Sequence, residues 1–124
     1  MSTSSDRLGR LGERLAARHL RAGGYEILER GWRHAGPDLR GELDLVCRHG
    51  ATIVVCEVKA RRRAWPEEAA EGVDARKRRQ LRRLALRWLE ERGWRGAPLR
   101  IDVVAVAWPP GGGAAAICHL EGVA

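Results

Sequence analysis

Gly41-Glu42-Leu43-Asp44-Leu45 and, thirteen residues after Asp44, Glu57-Val58-Lys59 are the stretches that decide how this chain folds. Each lies inside an apolar run of strand-like composition. Burying a charged side chain there is costly unless the charge is paired or binds a cation. Carboxylates and a lysine placed in this way indicate a functional site on two neighbouring strands rather than ordinary core packing.

A hairpin is predicted to bring the two stretches together. Residues 42–48 and 52–60 have the composition of buried strands, and His49-Gly50-Ala51 between them is a short, turn-forming connection. Such a connection favours antiparallel pairing. We therefore expect Asp44 and Glu57 to converge on adjacent strands.

Strand alternation predicts which charges share a face, because residues two apart point the same way. Glu42 is then on the face of Asp44, and Glu57 on the face of Lys59. Two carboxylates with water suit Mg²⁺ or Mn²⁺, and a lysine beside them can stabilise charge on a phosphate. The less specific interpretation is that Glu57 and Lys59 pair with other charges at a solvated strand end.

The rest of the chain predicts an α/β domain spanning residues 1–124, with residues 1–5 disordered. A leucine stripe, Leu8, Leu11 and Leu15, favours a first helix that ends near Arg21. The further predictions are a strand over 25–32, a turn over 33–40, a helix from about 74 to 93, a strand over 99–108 and a short edge strand over 114–120. The order is α-β-β-β-α-β(-β), which predicts a mixed sheet of four to five strands flanked by helices.

Positive charge is concentrated in one part of the sequence. The 124 residues have a formal net charge of +7, and the segment 57–100 has 14 Lys and Arg residues against 7 Asp and Glu. A concentrated basic field favours a polyanionic partner, of which nucleic acid is the simplest. The alternative is a compositional bias toward arginine with no partner.

Composition also bears on compartment and packing. No apolar run approaches the about 20 residues that a membrane span requires, and the N-terminal residues lack the apolar core of a secretory signal, so a cytoplasmic protein without a membrane partner is expected. Cys47 and Cys56 are predicted to be small buried side chains. Trp65, between the second central strand and the second predicted helix, could stack on a base, but packing is the favoured interpretation.

The residues resemble a known family. Asp44 with Glu57-Val58-Lys59 is similar to the PD-(D/E)xK motif of the restriction-endonuclease-like fold, with Leu43 in place of the motif's proline. The wider pattern resembles YraN-like proteins, small bacterial relatives of archaeal Holliday junction resolvases, from about Leu8 to Leu120. The segments that carry this resemblance are Gly12-Glu13, Gly23-Gly24-Tyr25, residues 40–45, residues 55–61, Lys77 and residues 100–104.

The resemblance implies roles for particular residues. Glu13 would match the helical glutamate of the resolvases, Asp44 and Glu57 their metal carboxylates, and Lys59 their catalytic lysine. Glu42 is a further candidate, as an outer ligand or hydrogen-bond acceptor. Glu13 also stands out by itself, since it shares a small, partly apolar helical face with Ala17 and Leu20. A solvated surface glutamate is the alternative. Asp102 belongs to the family pattern without an assigned role.

Four residues are candidates for contact with nucleic acid. Arg61 and Arg62 follow the central strand and could hold phosphates, unless they only form a solvated loop. Lys77 and Gln80 begin the second predicted helix, whose N-terminus favours phosphate.

The predicted function is a Mg²⁺- or Mn²⁺-dependent DNA endonuclease, with branched or otherwise structured DNA as the implied substrate. Because the resolvases are dimers, the resemblance also implies a homodimer, although no residue identifies a dimer surface. Two alternatives stay open: a non-catalytic nucleic-acid-binding module with the same fold, and an interaction protein whose charged face contacts an acidic partner.

Overall fold

The computed structural model describes residues 4–124, with side chains from Asp6 onward, as a five-stranded sheet with helices on both faces. In chain order the elements are α1 (Ser4–Ala22), β1 (Glu26–Ala35), β2 (Arg40–His49), β3 (Thr52–Arg62), α2 (Pro66–Glu71), α3 (Ala75–Glu91), β4 (Leu99–Trp108) and β5 (Ala116–Leu120). The strands lie in the order β1-β2-β3-β4-β5, and only the β3–β4 pair is parallel. The predicted three-layer α/β architecture and mixed sheet are confirmed, with α2 as an addition.

Several element bounds differ from the prediction. Ser4 and Ser5 begin α1, so the disorder expected for residues 1–5 does not hold for them, and residues 1–3 lie outside the described part. β1 continues to Ala35, which pairs with Arg40, so the predicted turn over 33–40 shrinks to residues 36–39. β3 continues to Arg62 because β4 supplies it with pairing partners. Backbone hydrogen bonding thus extends strands into polar sequence.

Helix α1 packs on β3 and β4 through small side chains. A Cβ atom at Gly12 would lie 2.6 Å from the Ala60 Cβ, so only glycine permits this approach. Ala16 and Leu20 complete the buried face. Of the predicted leucine stripe, Leu15 packs against the buried cluster that contains Ala16 and Leu20. Leu11 is 36% exposed, because close helix packing selects the small residues instead.

The parallel β3–β4 pair requires a crossover, which α2 and α3 provide. The Asp74 carboxylate caps α3 by accepting the Lys77 N–H at 2.9 Å, and the helix begins where it was predicted to. Its apolar face is buried and contributes Leu84 and Trp88 to a core with Val55 and Val103, here termed the α3-side core.

The opposite face of the sheet forms the α1-side core, which includes Leu20, Leu45, Val54 and Cys56. Cys47 is buried there with Cys56, as predicted. No helix within residues 4–124 is long and apolar enough to span a membrane.

Candidate active site

The site begins where β2 and β3 separate. Their pairing extends from His49↔Thr52 to Leu45↔Cys56 and does not reach Asp44. Instead, the Val58 N–H donates a hydrogen bond to Asp44 Oδ2 at 2.9 Å. Strand separation therefore leaves the Asp44 carboxylate at the mouth of the hairpin, in contact with the β3 backbone.

Regular alternation is broken at the same point. Leu43 lies in the α3-side core, whereas Leu45, two residues later, lies in the α1-side core. On β3 the predicted alternation holds, since Ile53 and Val55 face α3 whereas Val54 and Cys56 face α1. Of these two strands, the one in which alternation breaks is β2, which presents Asp44.

Glu57 is the buried acid of the site, with a side chain only 7% exposed. Its Oε2 lies 3.9 Å from Lys59 Nζ and 3.6 Å from Lys77 Nζ. Lys77 was predicted only as a nucleic-acid contact, but the structure places its ammonium against the acid that was predicted to bind metal. One feature of the sequence could have indicated this position of Lys77. Asp74 is a residue type that caps helices, and a cap there places Lys77 in the first turn of α3.

Like charges accumulate around Asp44. Burial, and next the neighbouring Glu57 carboxylate, raise the pKa of Asp44 to about 7. Burial followed by the charges of Asp44 and Glu42 raises the pKa of Glu13, which Arg30 opposes. The four predicted acids therefore form one electrostatic group, in which Asp44 keeps its proton to a higher pH than a free aspartate does.

A cavity of about 380 Å³ opens beside this group. Its lining includes Glu13, Asp44 and Lys59, together with Arg61 and Arg62 at the end of β3. The structure thus brings five of the predicted site residues to one space.

Glu42 and Glu57 do not line this cavity. Glu42 lies at the margin of the group, where it pairs with the Arg33 guanidinium at 3.4 Å. Glu57 belongs to the group because its carboxylate interacts with Asp44 and lies beside the Lys59 and Lys77 ammonium groups.

A second, basic cleft of about 640 Å³ lies between α3 and the β1–β2 turn. Lys77 and Gln80, both predicted as nucleic-acid contacts, line it. Gln80 also holds the start of β2, because its Nε2 donates to the Arg40 carbonyl at 2.6 Å. The arginines that line the cleft are Arg40, Arg76, Arg79 and Arg83. Within residues 4–124, no hydrogen bond or ion pair engages the Arg76 or Arg79 side chains.

Asp102 belongs to a different polar network, on the α1 side of β4. It is fully buried, and Arg100 donates to both of its carboxylate oxygens at 2.9 Å. The Gly122 N–H donates to Oδ1 at 3.0 Å, and His119 Nε2 lies 2.8 Å from Oδ2. These partners explain Asp102, for which the sequence offered no role: it ties β5 and the chain after it to β4.

Ligand-type atoms are closest together in this second network. In the described part of the chain, Asp102, His119 and Glu121 form the one group of at least three His, Cys, Asp or Glu side chains whose potential ligand atoms lie within 4.8 Å of one another. Arg100 is within 3.6 Å of Glu121 as well as paired with Asp102. A guanidinium between the two carboxylates opposes a metal ion there, so the network is structural.

The comparisons with known proteins agree with the sequence pattern. The model of "Uncharacterised protein family UPF0102" matches residues 12–106. The chain belongs to the UPF0102 family. This is the YraN-like family that the sequence resembles, so that prediction is confirmed.

Relatives match over almost the whole chain. A UPF0102 protein of Frankia alni is 49% identical over 119 residues, covering 96% of this chain and 95% of the relative. A UPF0102 protein of Beutenbergia cavernae is 48% identical over 120 residues, covering 97% and 98%. One of Streptomyces coelicolor is 46% identical over 120 residues, covering 94% and 88%. The part that the UPF0102 model matches contains every predicted site residue, from Glu13 to Gln80.

Proposed function

We propose that this UPF0102 protein is a divalent-cation-dependent endonuclease that hydrolyses phosphodiester bonds in DNA. The observation that carries the proposal is the grouping of Asp44 and Glu57 with two lysine ammonium groups where β2 and β3 separate. A strand end of purely structural function gains nothing from an aspartate whose pKa is raised to about 7.

The donor set fits Mg²⁺ or Mn²⁺. Glu13, Glu42, Asp44 and Glu57 offer only carboxylate oxygens, which these hard cations prefer. Burial, and next the neighbouring carboxylates, raise the pKa values of Glu13 and Asp44, and a bound cation would favour the ionised form of both. Asp44 and Glu57 would hold the ion, with Glu13 beside them and Glu42 at the margin. When bound, the ion supplies Lewis-acid activation of water and neutralises phosphate charge.

The chain's own residues supply the remaining chemistry. Lys59, held near Glu57, lines the cavity and can place its ammonium against the negative charge that develops on the scissile phosphate. Lys77 approaches the same carboxylate from α3 and can hold a phosphate oxygen from the other side. The Val58 N–H keeps the Asp44 carboxylate oriented.

Basic side chains lie on both sides of the acids, which supports DNA as the substrate. Arg61 and Arg62 line the cavity, and the cleft beside α3 continues the positive surface beyond Lys77. Phosphate contacts of this kind position a nucleic acid without reading its sequence. Recognition of branched or structured DNA is part of the proposal.

The test is cleavage of end-labelled four-way junction, flap, single-stranded and duplex DNA with Mg²⁺ or Mn²⁺. Lys59→Ala is expected to slow cleavage by about a hundredfold or more, since transition-state charge loses its partner. Most DNA affinity should remain. Arg95→Ala, which removes an exposed positive charge from the loop before β4, is the matched control and should cleave normally. An unchanged rate in Lys59→Ala would remove this lysine from the mechanism.

The basic cleft also supports the alternative, a non-catalytic nucleic-acid-binding module. Such a protein would bind DNA with strong salt dependence and show no metal-dependent cutting. Asp44→Ala and Glu57→Ala would then leave its affinity intact. Absence of any DNA binding at low salt would instead favour contact with an acidic protein partner.

A further inference from the structure

A third cavity, of about 410 Å³, adjoins the candidate active site. Leu8 and Arg62 line both this cavity and the catalytic one, so the two spaces are neighbours. Its further lining is Leu11, Arg63, Trp108, Pro109, Gly111 and Gly112. We call it the Trp108 pocket.

The walls of the Trp108 pocket are apolar and accessible. Leu11 is 36% exposed although it belongs to the leucine stripe of α1, and Trp108 is only half-buried at the end of β4. The buried contact of α1 is made by Gly12 and Ala16, whereas Leu8 and Leu11 line this space. Leucine and indole surfaces exposed beside a candidate active site are typical of ligand contacts.

Arginines line the rest of the pocket. Arg62 pairs in register with Trp108, so its guanidinium and the indole belong to adjacent positions of β3 and β4. Arg63 has φ of 50°, and it is the one non-glycine residue in the described part of the chain with a positive φ. Such backbone conformations are unfavourable and concentrate at functional sites. No hydrogen bond or ion pair within residues 4–124 engages either side chain.

An aromatic ring, aliphatic walls and two unpaired guanidinium groups are together the features that hold an unstacked nucleotide. The base stacks on the ring whatever its identity, and arginines hold the adjoining phosphates. We propose that the Trp108 pocket binds one unpaired nucleobase of the DNA strand whose phosphate occupies the catalytic cavity. This rests on the proposed function and sharpens it: the substrate has unpaired nucleotides next to the scissile bond.

Trp65 is a useful comparison. Packing was the favoured interpretation of its role, and the structure leaves its side chain 50% exposed. It precedes α2 and does not line the Trp108 pocket. Trp65→Leu therefore tests whether any exposed tryptophan near the site has the same effect as Trp108→Leu.

The experiment measures binding in EDTA, so that cleavage cannot interfere. Three probes are compared by fluorescence anisotropy: a forked duplex with two unpaired arms, the same fork with abasic residues in its arms, and a fully paired duplex. The wild-type protein is expected to bind the fork about tenfold more tightly than the abasic fork, because loss of a stacked base weakens binding by about this factor. A 2-aminopurine base in the arm should lose fluorescence on binding.

Two variants make the test specific. Leu11→Ser and Trp108→Leu should lower the preference for the fork over its abasic form to less than about threefold, with duplex affinity unchanged. Leu86→Ser is the matched control, because Leu86 is 48% exposed on α3 and lines a different cavity. If Trp108→Leu fails to fold, the exposed Leu11 decides the question.

Equal affinity for the fork and its abasic form would contradict nucleobase binding in the Trp108 pocket but not the proposed nuclease function. Equal effects of Leu11→Ser and Leu86→Ser would have the same meaning. A loss of preference in Trp65→Leu as large as that in Trp108→Leu would also contradict nucleobase binding there. Absence of salt-sensitive binding to any probe would overturn the proposed function as well. Base-dependent binding without cleavage in Mg²⁺ would support the pocket and contradict the nuclease.

Discussion

Asp44 and Asp102 occupy strands of the same sheet, but their surroundings have opposite effects. Burial alone would raise the pKa of Asp102, yet hydrogen bonds from His119, Arg100 and the Gly122 N–H hold that pKa below its ordinary value. Asp44 receives one backbone N–H and lies beside a second carboxylate, and its pKa rises to about 7. The Asp102 carboxylate is hydrogen-bonded and charge-paired, whereas the Asp44 carboxylate has too little positive charge nearby to offset its burial.

The difference distinguishes a structural carboxylate from a candidate ligand. Ionised Asp102 stabilises the fold because the fold supplies its counter-charge. Ionised Asp44 destabilises the metal-free fold, which is typical of residues arranged for binding rather than stability. Five measurements would break or sharpen this contrast.

The largest expected effect is on cleavage. Asp44→Asn keeps the shape of the side chain and removes its charge, so cleavage should fall about a thousandfold, equivalent to ~4 kcal/mol of transition-state stabilisation. Single-turnover rates in Mn²⁺ measure this. Glu26→Gln, an exposed change at the start of β1 that lies outside the cavity and the basic cleft, is the control. Residual activity within tenfold of wild type would exclude Asp44 as an essential ligand.

Asp102→Ala should mainly lower stability. It leaves the Arg100 guanidinium without its carboxylate, at a cost of about 3 kcal/mol, or roughly 10 °C in Tm. Thermal unfolding at pH 7 measures this, and Asp38→Ala should leave Tm unchanged. Cleavage below the lowered Tm should persist. A variant that kept its Tm and lost its activity would move Asp102 into the active site and reverse the comparison.

Metal binding should depend on pH through Asp44. Its pKa of about 7 means that a proton competes with the cation below that pH, so affinity should fall by about tenfold per pH unit below 7. Titration of Mn²⁺ between pH 5.5 and 8.5 tests this.

The Asp44 carboxyl carbon can be followed by NMR without metal. In Glu57→Gln its midpoint should shift to lower pH, because the neighbouring negative charge is removed. A midpoint near 4 in the wild-type protein would contradict the raised pKa.

The smallest expected effect is a gain in stability. Because the folded pKa of Asp44 is raised, its stabilising contribution is complete below pH 3.8 and is lost as pH rises through about 7. Metal-free Asp44→Asn should therefore have a higher Tm than wild type at pH 8, and the gain should vanish toward pH 4. Mn²⁺ should stabilise wild type alone. A lower Tm for Asp44→Asn at pH 8 would show that ionised Asp44 contributes to stability.

Most of the fold could be predicted from local pattern. Strand-like apolar composition identified β2, β3 and β4, and the short connection at Gly50 identified the hairpin. The helix predicted from about residue 74 is α3. Errors arose where pairing partners extended strands into polar sequence, at Ala35 and Arg62. The exposure of Leu11 on α1 was also missed, because helical periodicity alone does not show which stripe packs on the sheet.

The sequence by itself determined which residues can form a functional site. Asp44, Glu57 and Lys59 are charged residues in strands that must be buried, and a buried charge requires a partner. Only the tertiary structure decided which partner each received. It brought Lys77 from α3 to Glu57, saturated Asp102 with Arg100, and left Asp44 beside another acid. Periodicity fixes the direction of a side chain along its own element, whereas charge pairing depends on how elements far apart in the chain are brought together.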